Sequence, residues 1–124
     1  MGGGAATSSD FWRDLDALVQ RHRIVVDRPA TSVHPTSPQA IYPLDYGYLD
    51  GTRSGDGEGV DVWIGSLTER RVVGMACTVD GLKGQVEVKL LLGCSPSEIG
   101  SVQAFFSQQL QMGCRVWLRE PEVL

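Results

Sequence analysis

Three carboxylates crowd into six residues of this chain, Asp56, Glu58 and Asp61 in Gly55-Asp56-Gly57-Glu58-Gly59-Val60-Asp61. Hard oxygen ligands at that spacing can converge, because the glycines between them let the backbone fold tightly. Such a convergence is unfavourable without a cation, so Mg2+, Mn2+ or Ca2+ is its natural guest. Asp61 is the best placed of the three, since it begins a strand in which Val60, Val62 and Ile64 share one face and Asp61 and Trp63 the other. Two plainer readings stand beside this one. Gly and Asp are common turn formers, so the segment also reads as a solvated acidic turn. A calcium loop starting at Asp50 has a sixth-position glycine, but its flanks read as strands and not as helices.

A second group of charges lies further on. Period two along Val86 to Leu92 puts Val86, Val88, Leu90 and Leu92 on a core side and Glu87 and Lys89 together on the other. The pattern favours a surface ion pair of little energetic weight; in a cleft the two would instead hold a metal and a phosphate. Asp80 and Lys83 in the preceding turn repeat the pairing. His22 and His34 are isolated. Cys77, Cys94 and Cys114 have no Cys-x-x-Cys spacing and read as small core hydrophobes kept reduced, which fits a cytoplasmic address.

The elements that must position these groups are legible in outline. Residues 1–9 are Gly-, Ala- and Ser-rich and predict a mobile segment, and residues 10–124 predict one domain. Phe11, Leu15, Leu18 and Val19 form a helical stripe from Asp10, with Ser9 as its cap. Arg23 to Arg28 reads as a strand ended by Pro29, and Pro29 to Pro38 as a loop. Ile41 to Leu49 reads as an edge or bulged strand because of Pro43 and Gly47. Val60 to Ile64, Arg71 to Thr78 and Val86 to Leu92 follow as strands. Ser95-Pro96-Ser97-Glu98 is a capping box that opens a helix through Phe105, Phe106 and Leu110, stopped by Gly113. Cys114 to Leu118 returns as a last strand. Five to six strands with two peripheral helices predict an α+β fold on a small antiparallel, OB-like β-barrel. With 11 Lys and Arg against 15 Asp and Glu, the net charge of -4 argues against nucleic acid as a partner. No apolar run is long enough to span a membrane, and the N-terminal residues lack an apolar export core, so the expectation is a soluble, unexported chain. Trp12, Trp63 and Trp117 leave room for a homo-oligomer.

Tyr42-Pro43-Leu44-Asp45-Tyr46-Gly47-Tyr48, followed by Gly55-Asp56-Gly57-Glu58-Gly59-Val60-Asp61-Val62, resembles the soluble inorganic pyrophosphatases. Their signatures are Tyr-Pro-x-Asn-Tyr-Gly and then Asp-Gly-Asp-Pro-hydrophobic-Asp-Val. The resemblance implies a small barrel whose carboxylates bind Mg2+, with Mn2+ as a substitute, and activate a water against pyrophosphate or a related phosphoanhydride. It implies Asp56, Glu58 and Asp61 as metal ligands, joined by Asp80, Glu87 and Asp27. It implies Asp61, Lys89 and Tyr46 as the catalytic groups, and Lys89, Tyr42, Arg53 and Arg28 as binders of the small phosphate-containing substrate. The chain departs from the signatures at Asp45, Glu58 and Gly59, and its last helix has no Tyr-Lys pair. The basic half of such a site is therefore thin. A module that binds metal or phosphate with little or no turnover is the alternative reading.

Overall fold

The computed structural model describes residues 8–121. Helix α1 (Ser8–Arg21) is followed by strands β1 (Ile24–Arg28), β2 (Asp45–Leu49), β3 (Val60–Ile64), β4 (Val72–Asp80) and β5 (Gln85–Leu92). Helix α2 (Pro96–Ala104) runs into one π-helical turn, Phe105–Gln109, and β6 (Gly113–Leu118) closes the order. The strands form one sheet in the order β1-β2-β3-β5-β4-β6. Four pairings are antiparallel and the β3–β5 pairing is parallel. Among the described residues no pairing joins β1 to β6. The architecture is the α+β, small OB-like one, with the sheet left open between its two edges. No described helix is long and apolar enough to cross a membrane.

Apolar residues at helical spacing put α1 on one face of the sheet. Trp12 and Val19 pack there with Leu49, Val62, Val72, Leu90 and Leu92. On the opposite face Phe105 and Phe106 pack with Tyr42, Trp63, Ala76 and Leu91. The sheet is thus covered on both faces where β3 and β5 meet, so Leu90, Leu91 and Leu92 are all buried and strict alternation is lost. Towards the other end of β5 the two faces hold the expected residues, but their burial is the reverse of that expected. Val86 and Val88 are exposed, whereas Lys89 is only 4% exposed. Glu87 and Lys89 therefore do not form a surface pair.

Local signals account for most of the ends. Ser95 Oγ accepts from the Glu98 amide, and the Glu98 carboxylate accepts from the Ser95 amide at 2.8 Å, completing the capping box. The same carboxylate accepts from the Ser66 amide and so ties the loop after β3 to α2. The helix ends before Gly113. The Leu110 amide donates to the Phe105 carbonyl at 3.0 Å, and Gln111, with φ 55°, turns the chain into β6. Ser8 and Ser9 are already helical, so Ser9 is not the cap, and residues 1–7 of the expected mobile segment lie outside the described residues.

Asp16 and Arg119 join the first helix to the residue after the last strand. Arg119 Nη1 donates to Asp16 Oδ2 at 2.8 Å and to the Val72 carbonyl at 3.1 Å, and Asp16 Oδ1 accepts from the Val72 amide at 2.8 Å. Cys94 is buried, and burial, followed by the charge of Glu98, pushes its thiol up to about 12. A thiolate is the reactive form, so alkylation of the native protein at pH 8 is expected to leave Cys94 unlabelled until denaturant is added; mass spectrometry of the labelled peptides checks this.

Candidate ligand cavity and the Lys89 cage

Strands β2 and β3 each deliver one polar group, and β5 two, to a single point. Period two along β5 turns Glu87 and Lys89 to the same face, and the β3–β5 register sets Asp61 opposite Lys89. Lys89 Nζ donates to Glu87 Oε1 at 2.6 Å, to Asp61 Oδ2 at 2.9 Å and to the Tyr46 hydroxyl at 3.0 Å. An ammonium has three N–H donors, and all three are engaged. The rings of Tyr46 and Phe106 stand 5.5 and 5.9 Å from the same nitrogen. Burial by itself pushes the Lys89 ammonium down, but Tyr46, Asp61 and Glu87 outweigh it and hold it above the usual lysine value. Burial raises the Tyr46 phenol, against the nearby Lys89 charge, so both groups keep their protons at neutral pH.

This cage forms one corner of a cavity of about 590 Å³. Tyr42, Tyr46, Trp63, Phe105 and Phe106 contribute rings to its walls, beside polar side chains that include Thr78, Gln85 and Gln111. Trp63 is fully buried and lies within 6 Å of the other four rings. At the far end the His34 imidazole stacks parallel to Tyr42 with centroids 6.0 Å apart. Burial first, then the charges of Arg28 and Lys83, lower the His34 imidazole below its ordinary value. Arg28 also reaches the Tyr42 hydroxyl. His34 and Lys83 thus line the chamber, whose size suits a small-molecule ligand, and the Arg28 charge acts on His34 and Tyr42 from outside the lining.

The remaining carboxylates are placed elsewhere. Asp56 accepts from the hydroxyl of Ser54 and from the Glu58 amide at 2.9 Å, which closes an Asx-type turn and holds its carboxyl below the ordinary value. Glu58 is exposed in that turn, and Asp27 is exposed on β1. Asp80 lines the cavity but accepts from the Leu82 and Lys83 amides, both at 3.1 Å, and so shapes the β4–β5 turn. Arg53 is exposed in the β2–β3 turn, outside the cavity lining. The structure therefore gathers Tyr46, Asp61, Glu87 and Lys89, with Tyr42 in the same cavity, and does not gather Asp56, Glu58 and Asp61. Among the described residues no three His, Cys, Asp or Glu side chains are grouped to hold a metal. The donor set does not fit a resident Mg2+, because an ammonium already sits between Asp61 and Glu87 and the Asp80 carboxylate is engaged by its own turn. The sequence marks Lys83 only as a charge paired with Asp80 and His34 only as isolated; a histidine in a Pro-rich loop gives no sign that the fold sets it against Tyr42.

Similar backbones occur among solved structures. An inorganic phosphatase from Anaplasma phagocytophilum superposes with a TM-score of 0.54 and 18% identity, covering 77% of this chain and 81% of that one. The fold is shared. An inorganic pyrophosphatase from Coxiella burnetii gives 0.55 and 16%, covering 78% and 83%, and one from Helicobacter pylori gives 0.51 and 16%, covering 78% and 75%. No family model matches the sequence, and no curated protein matches it. At these identities the relationship is one of architecture, and residue roles must be argued from this chain's own geometry.

Proposed function

We propose that this chain is a pyrophosphatase-like binding module that takes a small phosphate-bearing ligand into the aromatic cavity, with phosphoanhydride hydrolysis weak or absent. The observation that carries the reading is the cavity lining itself, in which His34, stacked on Tyr42, and Lys83 stand beside the rings, with the Arg28 charge acting on both His34 and Tyr42. Basic groups brought together repel one another, and phosphate oxygens relieve the repulsion through charge-assisted hydrogen bonds. The rings of Tyr42, Trp63 and Phe105 would pack the body of the ligand, with Thr36 and Ser37 beside its polar end. Mg2+-dependent hydrolysis of pyrophosphate is the second reading. It is favoured by the shared fold, whereas the ammonium between Asp61 and Glu87 counts against it.

Calorimetry with phosphate, pyrophosphate and an aryl phosphate, run without divalent metal, separates the two. Binding is expected, and Arg28→Ser or Lys83→Ser is expected to weaken it tenfold or more, the loss of one charge-assisted bond. Absence of binding by all three compounds overturns the proposal. Fast phosphate release from pyrophosphate in Mg2+, lost in Asp61→Asn, replaces it with the hydrolytic reading.

A further inference from the structure

We infer that Lys89 is a built-in cation: its ammonium occupies the oxygen cage of Asp61, Glu87 and Tyr46 where a divalent metal would otherwise be held, and its removal turns that cage into a metal site. Three oxygens from three strands lie 2.6 to 3.0 Å from one positive centre. Hard oxygen donors, two of them anionic, are what Mg2+ or Mn2+ selects. Here they are already neutralised in part, since one ammonium faces two carboxylates. A metal can enter only by expelling Lys89, and the ammonium is almost fully buried and flanked by the Tyr46 and Phe106 rings. The β3–β5 register makes the arrangement a property of the sheet, because Asp61 and Lys89 are direct cross-strand partners. With the ammonium gone, Asp61 and Glu87 would face each other uncompensated, and such a pair recruits a cation.

The inference goes beyond the phosphate-binding proposal and can fail separately from it, because its titrations contain no phosphate. Mn2+ uptake is followed by electron paramagnetic resonance, and Mg2+ by calorimetry, for the wild type, Lys89→Met, Lys89→Gln, Asp61→Asn and Asp61→Asn/Lys89→Met. The wild type is expected to take up no Mn2+ into the millimolar range. Both Lys89 variants are expected to bind one Mn2+ at least tenfold more tightly, with a metal-dependent rise in melting temperature, and the double variant to lose it. Wild-type uptake that Asp61→Asn abolishes overturns the inference, as do folded Lys89 variants that bind no more Mn2+ than the wild type. A Lys89 variant that folds only with Mn2+ supports it. Should neither variant fold, the wild-type titration decides: uptake dependent on Asp61 overturns the inference and its absence upholds it.

Discussion

Gly47→Ala is expected to cost about 3 kcal/mol or more, enough to unfold much of the protein near physiological temperature. A Cβ on residue 47 would lie 1.8 Å from the Val25 carbonyl oxygen and 2.9 Å from the Val26 Cα, both backbone atoms that cannot rotate away. Residue 47 pairs with Val26 on one side and Val62 on the other, so β1 would have to separate from β2 to admit a methyl group. The neighbouring Tyr46 would shift with it, away from Lys89. Thermal and urea unfolding measure the effect, and a melting point within about 2 °C of the wild type contradicts the account.

Asp16→Ala is expected to have a similar effect for an electrostatic reason. The Arg119 side chain is 6% exposed and the Asp16 side chain 20%. Removing the carboxylate leaves a buried guanidinium without that partner and the Val72 amide without its acceptor. Losing one member of a buried pair costs about 3–5 kcal/mol, roughly 10 °C or more in melting temperature for a chain of this size. Replacing both members with leucine is expected to recover much of that, since the cost of removing one member lies largely in the desolvation of the charge that stays behind and not in the missing attraction. Melting curves of the two single variants and the double variant give the coupling directly. A double variant no more stable than Asp16→Ala contradicts this account.

Neither effect is visible in the sequence, and the reasons are physical. Gly47 in the run Tyr46-Gly47-Tyr48 signals a disturbed strand, but only the pairing of β1 with β2 reveals the carbonyl that forbids a side chain there. Asp16 and Arg119 are 103 positions apart, and no local pattern links them. The α+β, OB-like architecture was legible because each element announces itself over a few residues: the stripe of α1, the alternation Val60-Asp61-Val62-Trp63-Ile64, the capping box at Ser95. The alternation of β5 assigns its two faces correctly but not their cover, because it counts apolar residues without knowing what packs on them. Val86 and Val88 look like core residues until α1 is seen to stop short of them. The acidic turn misled in another way. Spacing brings Asp56 near Asp61 along the chain, whereas the fold gives Asp56 to Ser54 and turns Asp61 towards a lysine 28 positions later.

The parallel pairing of β3 with β5 sets an order on how the cage can be assembled. Strands β4 and β5 are joined by the short turn at Asp80–Gln85 and can close locally, whereas β3 meets β5 only across a connection that includes β4. Closing the longer loop carries the larger entropic cost, so the contact between Asp61 and Lys89 belongs to the non-local part of the fold. Until β3 docks, Lys89 is an ordinary hydrated side chain on a hairpin. Its desolvation and its neutralisation are therefore one event, and the newly folding chain is never required to bury that charge alone.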